Sequence, residues 1–330
     1  MTTTHSPSPA NTSDSGSEHA KVNRIRILKA GIQSSVQDVG RYGQRHLGIN
    51  QSGALDTYSL MLANKLVGNT LCCAGLEIVI GPVEIQFQRD TWFAIGGANF
   101  AAQLDTVAVP KAWRHFAKAG QILRLSGALK EARAYLGFDG GIAVPQVLGS
   151  RSTDLQAGFG GYLGRALKVG DQLELGPAQH LQKSLGVQQR IWSPEVRAIP
   201  GPEYEQFSPA ARQQFWQQAW KLSPQSNRMG CRLQGQALQR TISKDFLSHG
   251  VFPGVVQVPP NGQPIILLAD AQTTGGYPKI ACVIEADLWK VAQTPPGHSF
   301  CFIPVDKDTA ILAQEKWRKE FARIDWIIHA

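Results

Sequence analysis

Short alternating runs of apolar and polar residues dominate the chain. Arg24-Ile-Arg-Ile-Leu28 alternates as a half-buried strand does, one face apolar and the other wet. The same signature recurs at Leu76–Ile80, Val83–Phe87, Trp92–Ile95, Ile122–Leu125 and Ala134–Phe138, with Gly or Pro turns between most of them. That spacing predicts a barrel or a sandwich rather than a doubly wound sheet. Ala119–Leu125, Val169–Leu175 and Pro296–Phe302 each place a turn glycine and a polar residue before an alternating strand, a hint of duplicated barrel units. Helical spacing appears at Leu55, Tyr58, Leu62 and Leu66, on a helix from about Leu55 to Val67 that Gly68-Asn69 would end. A second helix, about Pro209 to Lys221, starts from Ser208 as N-cap with Pro209 at its first position. From Asp308 to Ala330, Ile311, Leu312, Trp317, Phe321, Ile324 and Trp326 predict an amphipathic helix that docks on the body or on a partner. The Gln- and Ser-rich stretch His180–Ser193 is the expected linker. The division is therefore a leader over 1–22, one unit over 23–185, a second over 186–305 and a helical tail over 306–330.

One stretch, Asp270-Ala-Gln-Thr-Thr-Gly-Gly-Tyr-Pro-Lys-Ile280, combines turn chemistry with ligand-binding side chains. The apolar run Pro264–Ala269 before it predicts a buried strand. Ile280, Ile284, Leu288 and Val291 after it fall at helical spacing, so the loop is expected to close a strand and open a helix, with Pro278 in the first turn. Gly275-Gly276 lets the backbone approach a ligand or take a positive φ. Gln272, Thr273, Thr274 and Lys279 would then surround a helix N-terminus whose free N–H groups attract anions or carbonyl oxygens. This set of neutral donors with one cation suits a carboxylate, urea or lactam group. A tight turn with a capped helix would use the same residues, and both readings stay open.

Composition narrows the function classes. At 330 residues and 43% hydrophobic content the chain can hold one large or two ordinary domains with real cores. It has no apolar run of bilayer-spanning length, and Met1 to Ala20 lacks the apolar core of a secretory signal and is expected to be disordered. The net charge of +8 suits anionic small molecules or an acidic partner. Its Lys and Arg are dispersed, with no basic run interleaved with aromatics, which argues against nucleic acid. Five cysteines without a C-x-x-C pair predict reduced thiols and a cytoplasmic setting. The eight histidines lack ligand spacing, so no metal is expected. Gly158-Phe-Gly-Gly-Tyr-Leu-Gly164 lacks the G-x-G-x-x-G spacing and a following Gly-Lys-Ser/Thr, and reads as a surface loop, not a phosphate cradle.

Ser52-Gly-Ala-Leu-Asp56, Gly149-Ser-Arg-Ser-Thr-Asp154, Asn227-Arg-Met-Gly230, Val258-Pro-Pro-Asn-Gly-Gln-Pro264 and Gln272-Thr-Thr-Gly-Gly-Tyr-Pro-Lys279 occur in order. Together they resemble the carboxyltransferase-domain A/B family, also called KipA-like or allophanate hydrolase subunit 2. That family includes the C subunit of bacterial ATP-dependent 5-oxoprolinase and the carboxyltransferase region of urea amidolyase. The resemblance runs from about Arg24 to Val305. It implies a mainly β fold with inserted helices, built as two cyclophilin-like β-barrel units in tandem. It also implies opening of 5-oxo-L-proline to L-glutamate at the expense of ATP, bound by this chain or shared with a partner. The partners it implies are the other two 5-oxoprolinase subunits, a KipI-like B subunit and an A subunit. A biotin-dependent carboxyl transfer to urea or another amide is the alternative, as is a non-catalytic regulator that binds a KipI-like kinase inhibitor. The chain has no Met-Lys-Met site for covalent biotin, which favours the oxoprolinase branch. It departs from the family at Asn50-Gln51, usually two prolines, at Asn227, commonly Asp, and at Ala271, often Arg.

Opening a resonance-stabilised amide calls for donors at a developing oxyanion or phosphate, a cation for the substrate carboxylate and a base for water. The expected catalytic residues are Asp56, Lys279, Thr273 and Thr274. The expected substrate contacts are Ser52, Gly53, Arg228, Gln272, Gly275, Gly276 and Tyr277. Structural roles are open to several of them. Asp56 stands where an N-cap would, Arg228 could anchor Asp270, and Arg151 could pair with Asp154 to hold a turn.

Overall fold

The computed structural model describes residues 23–241 and 247–329, so the leader over 1–22 lies outside the described residues. The fold is mainly β, in two units. In the first unit, one six-stranded sheet runs in the order Gln172–Glu174, Arg24–Ala30, Val83–Phe87, Ile122–Leu125, Ala102–Leu104, Val107–Ala108. The other runs Leu185–Gly186, Trp113–Ala117, Thr91–Gly97, Arg133–Phe138, Gly75–Val79, Gln33–Gln37. Alternate side chains of both sheets meet in one core: Ile25, Ile85, Phe87 and Leu123 from the first, Leu76, Ile78, Phe93 and Leu136 from the second. The alternation read from the sequence is the pleat that puts these residues inward.

Helix α1 (Thr57–Leu66) lies across the second sheet, on strands Thr91–Gly97 and Arg133–Phe138. Two strand glycines make that approach possible. A Cβ at Gly96 would stand 2.2 Å from the Ser59 carbonyl oxygen, and one at Gly137 would stand 2.8 Å from the Ala63 carbonyl carbon. Helix α2 (Pro209–Gln217) belongs to the second unit, a closed barrel in the order Glu195–Pro200, Lys279–Val283, Val255–Gln257, Ile265–Leu267, Gly230–Gln234, Trp220–Leu222, Ser299–Pro304. The last strand closes on the first in parallel, with Val196 opposite Phe302. Phe215 of α2 stacks on Phe302 at 4.5 Å between ring centroids, capping a core that includes Trp220, Leu233, Val256 and Ile280. After α3 (Leu288–Gln293), the long α4 (Lys307–His329) returns to the first unit and seats Phe321 and Ile324 against Tyr58 and Leu62 of α1.

Two expectations change. Residues 279–283 form a strand, not the start of a helix, because Ile280, Ala281 and Val283 fill the barrel interior between two neighbouring strands. Helical structure begins only at the 3-10 turn Glu285–Asp287. The helix from Pro209 ends at Gln217, and Trp220–Leu222 turns into the barrel. After it, residues 223–229 turn and the next barrel strand starts at Gly230.

Candidate functional site

Two polar centres flank the Asp270–Ile280 stretch. The first is buried where the two units meet. Arg228 of the barrel grips Asp270 with Nε to Oδ2 at 2.8 Å and Nη2 to Oδ1 at 3.0 Å, and it also donates to Glu77 Oε1 and to the Gly53 carbonyl of the first unit. Glu77 Oε2 accepts from the Leu55 N–H (2.9 Å) and the Tyr135 hydroxyl (2.8 Å), whose oxygen accepts from the Asp56 N–H. Ser52 N–H donates to the Ala269 carbonyl at 3.0 Å. Burial works to raise the Glu77 carboxyl, but the Arg228 and Arg133 charges outweigh it and hold it below its usual range. At Asp270 burial wins over Arg228 and the carboxyl is raised. Polar groups of the two units thus satisfy one another across the junction.

The second centre lies at the open end of the barrel. The turn Pro200-Gly-Pro202 brings Glu203 onto the strand Lys279–Val283. Gly201 is needed there, since a Cβ would stand 2.3 Å from the Lys279 carbonyl oxygen. Glu203 Oε2 accepts from the Lys279 N–H at 2.9 Å, and its carboxylate lies 3.4 Å and 3.5 Å from Lys279 Nζ. Lys279 is only 5% exposed, and its Nζ also contacts His249 Nε2. His249 rides on a two-stranded ladder, His249–Gly250 against Thr274–Gly275, and Val251 N–H donates to the Thr273 carbonyl. Gln257 lies opposite Lys279 in the barrel register, and its side chain reaches toward the Tyr277 carbonyl at 3.4 Å. Above this charged floor Gln272, Thr274 and Tyr277 are exposed, while Thr273, Gly275 and Gly276 are half-buried. The loop is not packed solid and presents hydroxyls and a glycine pair to solvent.

The expected site residues therefore divide. Gln272, Thr273, Thr274, Gly275, Gly276, Tyr277 and Lys279 share the loop and its base, joined by His249, Glu203 and Gln257. No helix N-terminus faces them among the described residues, so the donor set consists of side chains and strand-edge amides. Ser52, Gly53, Asp56 and Arg228 belong to the buried junction. Asp56 caps α1: it accepts from Ser59 N–H (2.9 Å), Ser59 Oγ (2.6 Å) and Gln293 Nε2 (2.7 Å) and is wholly inaccessible. It cannot reach a water in the loop, which corrects the expected base. Arg228 is likewise committed to carboxylates and a carbonyl, so it is not free to take a substrate anion. Ser52 donates to the Asn50 side chain, and Gly53 gives its carbonyl to Arg228.

Elsewhere, Asp154 accepts from Asn50 (2.9 Å) and two backbone amides, and Arg151 donates to the Val144 carbonyl. The expected Arg151–Asp154 pairing is replaced by these contacts. Asn227 accepts from the Met229 and Gly230 amides and shapes a turn, and Ala271 is fully buried. A cavity of about 290 Å³, lined among others by Tyr42, Tyr58, Trp289 and Trp317, lies between α1, α3 and α4. Among the described residues no group of three His, Cys, Asp or Glu is placed to hold a metal ion, and no helix is long and apolar enough to cross a membrane.

The mainly β architecture is that of a carboxyltransferase domain. Residues 47–304 match the family model described as carboxyltransferase domain, subdomain A and B, and the chain belongs to that family. It is 48% identical over 306 residues to the 5-oxoprolinase C subunit of Escherichia coli, a match that spans 92% of this chain and 99% of the relative. The corresponding protein of Haemophilus influenzae is 41% identical, over 88% of this chain and 94% of the relative. Among solved structures, urea amidolyase of Kluyveromyces lactis superposes with a TM-score of 0.86 at 30% identity. That match covers 93% of this chain but only 20% of the amidolyase.

Proposed function

We propose that this chain is the C subunit of an ATP-dependent 5-oxoprolinase and opens 5-oxo-L-proline to L-glutamate only together with partner subunits. The observation that carries this reading is the near end-to-end match to the 5-oxoprolinase C subunit of E. coli. The site geometry supports it. An open loop of Thr273, Thr274 and the Gly275–Gly276 amides offers donors to a developing oxyanion or phosphate. Lys279 lies beneath that loop as a buried cation already balanced by Glu203. Tyr277 and Gln272 are exposed where a small ring would lie, with Tyr277 46% exposed. In this reading water adds to the lactam carbon, the carbon–nitrogen bond breaks, and the nitrogen leaves with a proton as the amine of glutamate. ATP, held here or on a partner, supplies the phosphoryl group that activates the lactam oxygen, and that group departs as inorganic phosphate after water has added. The exposed loop is half of a site, and the KipI-like B subunit, together with the A subunit, supplies the opposing wall. The setting would be the cytoplasm.

The test is reconstitution with both partner subunits. The complex should hydrolyse ATP in proportion to 5-oxoproline, and this chain alone should not. Lys279→Met, and separately Thr273→Val with Thr274→Val, should lower kcat by about 100-fold or more, the scale of losing oxyanion or charge stabilisation. ATP turnover indifferent to 5-oxoproline would overturn the reading. A second reading, carboxyl transfer to urea or another amide, draws on the likeness to urea amidolyase. It predicts that the same complex consumes urea only when a biotinylated carrier is added. Tight binding to a KipI-like protein with neither activity would leave a regulator.

A further inference from the structure

The cavity of about 290 Å³ where the two units meet α4 is lined by side chains that the oxoprolinase reading does not use. Small-molecule sites span ~300–1,000 Å³, so this one has room for a ring system but not for a long ligand. The first unit contributes Tyr42, Gln51 and Tyr58, the second Glu285 and Trp289, and α4 Trp317. Two of these aromatic rings are already engaged. Tyr58 packs edge-on against Phe321, lies 6.5 Å from Trp317 between centroids and carries the Arg190 guanidinium over its face at 4.2 Å. The rings of Tyr42 and Trp289, one from each unit, have no aromatic or cationic partner among the described residues.

Charge in the wall selects against anions. Among the described residues Arg190 is the one cation there, and its Nε and Nη2 both donate to Glu320 Oε2, at 2.9 Å and 2.5 Å. Glu285 faces no such cation: its Oε2 accepts from the neutral Gln314 amide at 2.7 Å. A wall with a carboxylate to spare and no free cation suits a neutral ring that donates hydrogen bonds, not a phosphate or a carboxylate. Among the described residues neither the Gln51 carboxamide nor Trp289 Nε1 makes a hydrogen bond. A carboxamide sets an N–H donor beside a C=O acceptor, the pattern that pairs bidentately with the amino group and neighbouring ring nitrogen of adenine.

We infer that this cavity binds an adenine base, stacked on the free aromatic rings of Tyr42 and Trp289 and read along its amino edge by Gln51 and Glu285. Stacking on aromatic side chains holds a base without any contact to its phosphates. A groove along α4 shares Tyr42, Gln51 and Glu285 with the cavity, so it is the way in and the path by which a ribose and its substituents leave. Adenosine and ATP present the same base, and the test separates them. The inference stands apart from the oxoprolinase reading, since it needs neither a lactam nor turnover.

The test is equilibrium dialysis of the full chain against labelled adenosine, with inosine and uridine, which lack the amino group, as comparisons. Adenosine should bind about tenfold more tightly than either, the scale of one bidentate base contact. Tripolyphosphate should not displace it. Gln51→Leu should weaken adenosine by about tenfold and erase its advantage over inosine. Gln51→Glu keeps the shape of this half-buried side chain, loses the N–H donor and should weaken adenosine as well. Trp289→Ala, which removes a stacking face, should cost about tenfold for both purines. Melting temperatures of the variants close to that of the parent show that the fold is kept. ATP that displaces adenosine assigns the cavity to the nucleotide, and adenosine that ATP leaves in place assigns it to the free nucleoside. Adenosine bound no better than inosine and uridine overturns the inference, and so does an affinity that both Gln51 changes leave unaltered. Adenosine binding by a chain whose reconstituted complex ignores 5-oxoproline would sustain the base site and sink the oxoprolinase reading alone.

Discussion

Replacing Arg228 by Met removes the charge that joins the two units while keeping most of the volume. In the native chain Arg228 is 5% exposed and makes four hydrogen bonds, two to Asp270, one to Glu77 and one to the Gly53 carbonyl. Without it two buried carboxylates face each other, with only the more distant Arg133 charge to offset Glu77. Breaking a buried ion pair by removing one partner costs ~3–5 kcal/mol, because the group left behind stays desolvated. For a protein of this size that is a fall of roughly 10 °C in Tm. The dependence on pH distinguishes this cause from poor packing. Native Glu77 has a depressed folded pKa, so its contribution is present above the unfolded carboxyl pKa and is lost as pH falls through the folded value. In the variant Glu77 and Asp270 both lie above their unfolded values. Their penalty is then full at neutral pH and shrinks as acidification protonates them, down to the unfolded range near ~4. Urea titrations of both proteins at pH 7.5 and pH 5, followed by tryptophan fluorescence, measure the gap at each end. Adding Glu77→Gln to the variant should recover part of the loss at pH 7.5. A gap below about 1 kcal/mol, or one that stays constant with pH, would refute the account of this junction.

Three further substitutions test the parts that position the loop. Asp56→Ala removes an N-cap and leaves one N–H of the Gln293 amide without its partner, for a loss of about 2–4 kcal/mol. Asp56→Asn keeps the Ser59 N–H bond but sets an NH2 against the Gln293 Nε2 donor, so it should recover only part of that loss, and neither change should alter kcat per folded molecule. A kcat that falls with the Asn variant would return Asp56 to the chemistry. Gly53 has φ +93° and a Cβ there would stand 2.7 Å from Gly40 Cα, whereas Gly48 at φ +79° has open space around it. Gly53→Ala should therefore cost clearly more than the ~1–2 kcal/mol of left-handed strain alone that Gly48→Ala incurs. Equal melting temperatures for the two variants would contradict the close docking of this turn. Phe321 packs edge-on against Tyr58 at 5.0 Å between ring centroids. Phe321→Ala should release α4 by about 3 kcal/mol, seen as faster amide exchange over 307–329, while Trp326→Ala, at a side chain 73% exposed, should not.

Much of the fold was legible because a pleat buries every second residue, and that period survives in the letters. Ile25 and Ile27, Ile85 and Phe87, and Leu123 and Leu125 are both the alternation and the core. The failures fall where two periods coincide. Ile280, Ile284, Leu288 and Val291 satisfy a helical spacing, yet Ile280 lies in a barrel strand and Val291 in α3, with a 3-10 turn between them. A strand followed by a turn and a helix can fill one core from several directions, and the spacing alone does not register the bend. Pro278 and Gly276 marked the loop correctly, but a loop leads equally well to a strand.

The candidate loop was legible along the chain, but its neighbours across the fold were not. Thr273, Thr274, Gly275, Gly276 and Lys279 are contiguous, so their chemistry could be read directly. Glu203 and His249 come from separate segments and meet Lys279 only because the barrel closes, with Glu203 brought in on a glycine turn and His249 on a ladder paired to the loop itself. The reverse error has the same origin. Ser52, Asp56 and Arg228 carry polar side chains of the right kind, but Ser52 donates to Asn50, Asp56 caps its own helix through Ser59, and Arg228 crosses to Glu77. They hold the strand Ile265–Leu267 and the Asp270 turn against the first unit, while Arg45 of that unit ties the Val251 and Gln272 carbonyls together. The Asp270–Gln272 end of the loop is thus tied to the neighbouring unit, its Lys279 end is held within the barrel by Glu203, and Gln272, Thr274 and Tyr277 are left exposed between them. Under the proposed reading, a partner surface would cover this open face. For this reason the decisive assay is the one performed with the partner present.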